Sequence, residues 1–333
     1  MRRAHPGAGC DTRRKLIDRR AIAWQTTAAC LALLLGILWS QPAAAQATKA
    51  QSTEAQAAAT PAAGAQQVAE RREPMTAAEL FRPENLVAWC IVPFDASHRT
   101  PAERAEMLVR LGFQRVAYDW RDQHVAEFEQ EIQAYQRQGL EYFAFWTEHP
   151  RATELFRQYD LHPQWWVINP SPADGTSDRV QRAADELLPM ARRAIAAGCP
   201  LGLYNHGGWG GEPENLVAVC QRLRAATGSD QIGIVYNFHH AHDRIETFPQ
   251  DLQLMLPYLL CVNINGMNPG AQPKILGIGQ GRHELQMLRT LVSSGYRGRI
   301  GIIHHREELD AQRGLQENLS GLHKLVESGQ LDP

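Results

Sequence analysis

"IGIVYNFHHAHD" (Ile232–Asp243) decides how the chain is read. A short run of β-branched and aromatic residues passes directly into an asparagine and then three histidines within four positions. An apolar run of this length, ended by polar loop residues, reads as a buried strand. Side chains alternate along a strand, so Asn237 and a histidine two or three residues later can face the barrel mouth together, while the neighbour points elsewhere. The pattern recurs in "NLVAWCIV" (Asn85–Val92), "QRVAYD" (Gln114–Asp119), "EYFAFW" (Glu141–Trp146) and "QWWVIN" (Gln164–Asn169). It returns in "PLGLYN" (Pro200–Asn205), "LLCVNI" (Leu259–Ile264) and "RIGIIH" (Arg299–His304). Helical stretches separate these runs, among them "PAERAEMLVRLG" ending at Gly112 and "RVQRAADELLPMARRAIAAG" ending at Gly198, each stopped by a glycine. Eight βα units in roughly 250 residues are the length of a (β/α)8 TIM barrel. An open doubly wound sheet uses the same local pattern but gathers its polar residues near one switch point. Here they follow nearly every strand, which favours the barrel.

The chain before the first strand has a different character. Arg13, Arg14, Arg19 and Arg20 precede an apolar run from Ala28 to Leu38 and then "QPAAAQA". This is the layout of an export signal cut after Ala45, so residues 1–45 are expected to be removed. "TRRKLI" (Thr12–Ile17) also fits the twin-arginine type. An anchor left uncut is the alternative, but the apolar run falls short of the roughly 20 residues that span a bilayer. Residues 46–78, rich in Ala, Gln, Thr and Pro, read as a disordered linker, and residues 79–333 as the barrel. The expected protein is exported, periplasmic or extracellular, with no stable membrane insertion once the signal is gone.

Without residues 1–45 the chain keeps 27 Lys and Arg against 34 Asp and Glu, a formal charge of −7. That balance excludes nucleic acid as an expected partner. Cys90, Cys199, Cys220 and Cys261 sit in apolar surroundings without a zinc-like CxxC pairing, and read as buried free thiols, although an oxidising compartment permits disulfides.

Six of the 13 histidines follow strands five, six and eight: His206; His239, His240 and His242; His304 and His305. Around them the strand ends carry Asp119, Trp120, Trp146, Glu148, Asn169, Asn205, Trp209, Asn237 and Asn263. Asparagine and histidine both donate and accept hydrogen bonds, as sugar hydroxyls do. Trp120, Trp146 and Trp209 would offer flat faces to sugar rings. Arg282, after Gly277, Gly279 and Gly281 and before a helix, stands where many barrels hold a phosphate. The substrate-binding set is therefore Trp120, Trp146, Asn169, Asn205, Trp209, Asn237, Asn263 and Arg282. The acid/base set is Asp119, Glu148, His206 and His240.

Taken in order, "YNHGG" (Tyr204–Gly208), "GIVYNFHHAH" (Gly233–His242), "GIGQG" (Gly277–Gly281) and "LVSSGYRGRIGII" (Leu291–Ile303) resemble the xylose isomerase-like family of TIM barrels, over about Leu86 to Val326. The family includes sugar phosphate isomerases and epimerases. In its metal-dependent members, a glutamate ends strand five, an aspartate ends strand six three residues before a histidine, a histidine ends strand seven and a glutamate ends strand eight. Those positions here are Tyr204, Asn237 followed by His240, Asn263, and His304 or His305; the family's Asn-His pair survives as Asn205 and His206. Mg²⁺ and Mn²⁺ prefer charged oxygen donors, so the usual cation is not expected. His206, His240 and His304 would suit a divalent transition metal such as zinc; the alternative is a pocket with no cofactor.

The resemblance implies a sugar or polyol isomerase or epimerase working by acid/base proton transfer at the carboxyl face of the barrel. Two other classes stay open: a carbohydrate-binding barrel that has lost its metal, and a glycoside-cleaving enzyme using Asp119 and Glu148. Endonuclease activity is excluded, because its metal cluster needs the missing carboxylates.

Overall fold

A computed structural model describes residues 75–332. The expected export signal, and the linker up to residue 74, lie outside the described residues. Eight strands form: β1 (Leu86–Trp89), β2 (Arg115–Tyr118), β3 (Glu141–Trp146), β4 (Gln164–Ile168), β5 (Leu201–Tyr204), β6 (Ile232–Asn237), β7 (Leu259–Ile264) and β8 (Arg299–Ile303). Each matches an expected strand, trimmed by at most three residues at either end. Neighbours pair in parallel in chain order, and β1 closes against β8 with Leu86 opposite Ile300 and Trp89 opposite Ile303. The barrel reading holds.

Among the described residues, ten α-helices accompany the strands: α1 (Ala77–Leu80), α2 (Pro101–Arg110), α3 (Phe128–Gln138), α4 (Pro150–Gln158), α5 (Arg179–Ala196), α6 (Gly208–Gly211), α7 (Pro213–Thr227), α8 (Phe248–Met255), α9 (Glu284–Ser293) and α10 (Ala311–Glu327). Local chemistry sets their ends. Thr100 accepts the Glu103 N–H on its hydroxyl, while the Glu103 carboxylate accepts the Thr100 N–H at 2.9 Å, a reciprocal cap that starts α2. Helices α2 and α5 stop just short of Gly112 and Gly198, whose φ of +83° and +69° ends the helical path.

The fold starts earlier than the expected boundary at residue 79. Helix α1 begins at Ala77, which is buried, and the Ala77 N–H donates to Asp332 Oδ1 at 2.7 Å. The capping threonine and the apolar face of "TAAEL" (Thr76–Leu80) carry this, although the alanines resemble those of the linker before them.

Alternation along each strand divides the core in two. Ile232, Ile234 and Tyr236 of β6 face the helices, with Leu201 and Leu203 of β5 and Ile300 and Ile302 of β8. Val235 faces the barrel interior with Val87, Trp89, Ala117, Trp166, Tyr204, Cys261 and Ile303. Trp166 and Tyr204 take much of that narrow space, and β5 yields to them. A side chain at Gly202 would put its Cβ 2.6 Å from Val235 Cγ2 and 3.0 Å from Trp166 Cδ1. Cys90, Cys199, Cys220 and Cys261 are all buried and free. Among the described residues, no helix is long and apolar enough to cross a membrane.

Candidate active site

The same alternation sorts the residues at the carboxyl ends of the strands. On β2, Tyr118 packs outward with Phe128 and Tyr142, so Asp119 turns inward. On β3 Phe145 is outward and Trp146 inward, the latter 5.0 Å from the Tyr204 ring and 5.9 Å from Trp89. On β5 Tyr204 is inward, and His206, two residues on, joins it at the mouth. On β8 Ile303 is inward, so His305 faces the mouth while His304 points away. His304 is wholly buried, its Nε2 3.2 Å from the Leu309 carbonyl and its ring against Gly314 of α10.

Asp119 is the carboxylate of the mouth. It is 2% exposed, Oδ1 accepts the Val92 N–H at 3.3 Å, and Oδ2 is buried with no partner. Burial disfavours its charged form and raises its pKa to about 7, partly opposed by Arg121. Cys90 stands nearby at φ +58°, its Sγ 3.3 Å from His305 Nδ1, and burial pushes that thiol well above its ordinary value.

Across the mouth lies a ring of imidazoles. His239 Nε2 and His240 Nε2 are 2.7 Å apart, so one donates to the other and only one of the two nitrogens carries a hydrogen. His206 lies 4.4 Å from His240 between ring centroids, and His305 lies 4.8 Å from His239. Burial, reinforced by neighbouring imidazoles, lowers His239 well below its ordinary value and His240 to about 2; burial and then Lys274 lower His305 to about 4. His206 is lowered as well, by burial and then Lys274. At neutral pH the ring is uncharged and built from hydrogen-bonding groups. His239 Nδ1, Asn263 Nδ2 and Asn265 Oδ1 are buried there without partners.

Several expected contacts are already spent. Asn205 Oδ1 accepts the Asn237 N–H at 2.7 Å and its amide donates to the Asn237 carbonyl at 3.1 Å. The Asn237 amide in turn donates to the Tyr204 hydroxyl and accepts the His239 N–H at 3.2 Å. Asn169 points outward and donates to the Gly210 carbonyl at 2.9 Å. Trp120 donates to the Trp146 carbonyl at 2.6 Å and packs among Phe128 and Phe145, away from the mouth. Trp209 carries the Arg179 guanidinium over its ring at 4.8 Å. Of the three tryptophans, Trp146 alone is brought to the histidine ring, 6.5 Å from His206.

Glu148 and Arg282 also find other duties. Glu148 receives Arg193 of α5 in a two-pronged ion pair, Nε to Oε1 at 2.7 Å and Nη2 to Oε2 at 2.6 Å, which turns it from the mouth. Arg282 is exposed, and its N–H is held by Asn268 Oδ1 at 3.0 Å. The anion at the start of α9 is the chain's own: buried Glu284 accepts the Gly281 N–H at 2.7 Å and the Met267 N–H at 3.0 Å. The glycine loop therefore presents these amides to a carboxylate rather than to a phosphate.

The family described as xylose isomerase-like TIM barrel matches residues 49–325. The chain belongs to the xylose isomerase-like TIM barrel family. No curated protein matches the sequence. Among solved structures, the fold is shared with 3-keto-D-glucoside 4-epimerase from E. coli at 15% identity and TM-score 0.54, covering 73% of this chain and 98% of that one. It is shared with an L-ribulose 3-epimerase at 14% identity and TM-score 0.53, covering 74% and 95%. The IolI protein, solved with a zinc atom, aligns at 12% identity and TM-score 0.56, covering 73% and 98%. Likeness at these identities establishes a common fold.

The family's divalent cation does not fit this chain's donor set. Of the four strand ends that the resemblance assigns to its ligands, Tyr204 and Asn237 are bonded to each other, Asn263 offers a neutral amide, and β8 offers His305 engaged with Cys90. None is a carboxylate, so hard cations lack their preferred donors. The expected transition-metal trio is not assembled either, because His304 faces α10 while His206 and His240 face the mouth. Among the described residues, no group of three or more His, Cys, Asp or Glu is arranged to hold a metal ion.

Proposed function

We propose that this protein isomerises or epimerises an unphosphorylated sugar by moving a carbon-bound proton with Asp119. The observation that carries the reading is the free, buried Oδ2 of Asp119 on β2, four strands around the closed barrel from the β6 histidines. A sugar lying across the mouth meets a carboxylate on one side and neutral imidazoles on the other. A carboxyl group near pH 7 is matched to neutral operation, since it is readily ionised to take a proton and reprotonated to return one. Imidazoles lowered this far are poor bases toward carbon. Their part is to hydrogen-bond the carbonyl and the adjoining hydroxyl and to pass the hydroxyl proton between oxygens, as neutral histidine does beside a carboxylate base elsewhere.

Two further features support the substrate class. Glu284 fills the amide site at the start of α9, which favours a neutral substrate over a phosphorylated one. The export signal expected over residues 1–45 agrees with this, and we propose that the protein works outside the cytoplasm on free sugar. The 3-keto-glucoside and ribulose epimerases sharing the fold act on the carbohydrates their names state.

The test is to incubate the full-chain protein with a panel of free aldoses, ketoses and 3-keto-glucosides in D2O and follow the sugars by NMR. Deuterium entering at the carbon beside the carbonyl, with a new isomer growing in, is the expected result. Saturable binding without exchange would overturn it and leave a carbohydrate-binding barrel; release of reducing ends from glycosides would mark a hydrolase.

A further inference from the structure

The last residue of β4 is apolar and open to solvent. Ile168 is 47% exposed, whereas the other large apolar side chains this open among the described residues, Val109 and Leu254, lie on the outer helices α2 and α8. Alternation gives its direction: Trp166 packs in the barrel interior and Val167 against the helices, so Ile168 turns inward, and being last on the strand it stands at the mouth. Strand pairing places it opposite Tyr204 of β5, whose ring lies 5.0 Å from that of half-buried Trp146. The chain beyond it is drawn away from the mouth. Asn169 donates outward to the Gly210 carbonyl, and the Gly210 N–H donates to Ser171 Oγ at 2.8 Å, which ties the loop after β4 to α6. A branched hydrocarbon is thereby left facing water, one strand over from exposed His206, whose ring is 6.5 Å from Trp146 and 4.4 Å from His240.

The open part of the mouth is therefore divided. His206 and His240 offer hydrogen bonds, while Ile168 and Trp146, on adjacent strands, offer a hydrocarbon edge and a flat ring. A bare monosaccharide carries a hydroxyl on nearly every carbon, and burying one against Ile168 without a partner is unfavourable. The division matches a molecule with one polar and one apolar end. We propose that the mouth takes a glycoside with an apolar aglycone, its sugar hydrogen-bonded by the histidines and its aglycone seated on Ile168 and Trp146. Strand β4 stands midway round the closed barrel between β2 and β6, so the aglycone lies to the side of the line from Asp119 to the imidazoles and leaves the sugar between them. Because the anomeric carbon of a glycoside is bonded to its aglycone, the carbonyl that proton transfer needs stands elsewhere on the ring. The inference deepens the sugar reading above and rests on it, but draws nothing from the chemistry of Asp119. Apolar area removed from water is what would set such a substrate apart from the free sugar.

The experiment titrates phenyl β-D-glucoside and methyl β-D-glucoside by calorimetry into the full-chain wild type, I168N and I168L, with melting curves for all three. Covering a phenyl ring contributes roughly tenfold or more in affinity. The expected result is a phenyl preference of about that size in the wild type and in I168L, reduced below about threefold in I168N, with melting unchanged because the side chain is exposed. A wild-type preference below about threefold, a preference that I168N keeps, or no binding of either glucoside would overturn the aglycone seat. Isotope exchange on free sugars in that case leaves Asp119 standing. A preference that depends on Ile168, without exchange on any sugar, would support the seat and overturn the proton-transfer reading alone.

Discussion

Asn205 and Asn237 hold each other across the ends of β5 and β6 by two hydrogen bonds, the side chain of one spliced onto both backbone groups of the other. Neighbouring strands normally bond backbone to backbone. Here an amide side chain supplies the last rung and fixes where Asn237, His239 and His240 begin. Asn205→Ala would leave the buried N–H and carbonyl of Asn237 without these partners. A buried polar group left unpaired costs roughly 1–3 kcal/mol, so a loss of about 2–4 kcal/mol is expected in a denaturant titration, with activity impaired through the displaced histidines.

Asp119→Asn should abolish exchange by at least about 10²-fold, because a neutral amide cannot take the carbon-bound proton. Stability should move the other way. The folded carboxyl titrates near 7 and the unfolded one near its ordinary 3.8, so between these values the native state binds the extra proton and stability falls as pH rises. Melting the two proteins from pH 4 to pH 8 should show no advantage for the variant at pH 4 and a growing one up to pH 7.

Glu148→Gln should leave exchange within about threefold of wild type. The carboxylate is committed to a partly exposed guanidinium on α5, and such pairs contribute roughly 0–1 kcal/mol. If sugar turnover or glycoside cleavage collapsed in this variant, the division of roles between Asp119 and Glu148 would be wrong.

The histidine ring makes the fold acid-sensitive. His239, His240 and His305 remain neutral in the folded protein well below their ordinary 6.5, whereas in the unfolded chain they take up protons there. Stability is then full above about pH 6.5 and declines toward pH 4. Thermal melts should show this decline, and H305N, which keeps a polar group at the mouth, should make it shallower. A profile flat from pH 7 to pH 4.5 would contradict the buried neutral ring.

Much of this was legible in the chain itself. Each strand announced itself by an apolar run with a polar end, and the closed barrel follows from eight such units. Alternation also turns Asp119, Trp146, His206 and Asn237 inward. The remainder depended on partners distant in sequence. Arg193 reaches Glu148 from 45 residues away, and nothing around "TEHP" (Thr147–Pro150) signals it. His304 and His305 were indistinguishable until the strand's end was set, since one residue reverses the facing. The grip of His242 on the Asn268 and Lys274 carbonyls was missed because such a contact has no linear signature.

The carboxylate of Glu284 has one more consequence. A ligand tethered three residues from the amide it occupies is present at an effective concentration far beyond that of free phosphate. The barrel is thereby insulated from a ubiquitous competitor that would otherwise seat itself at the start of α9. Removing that one side chain would vacate the position and leave the Gly281 and Met267 amides open to an anion from solution, at a distance in sequence from the strand ends of the mouth.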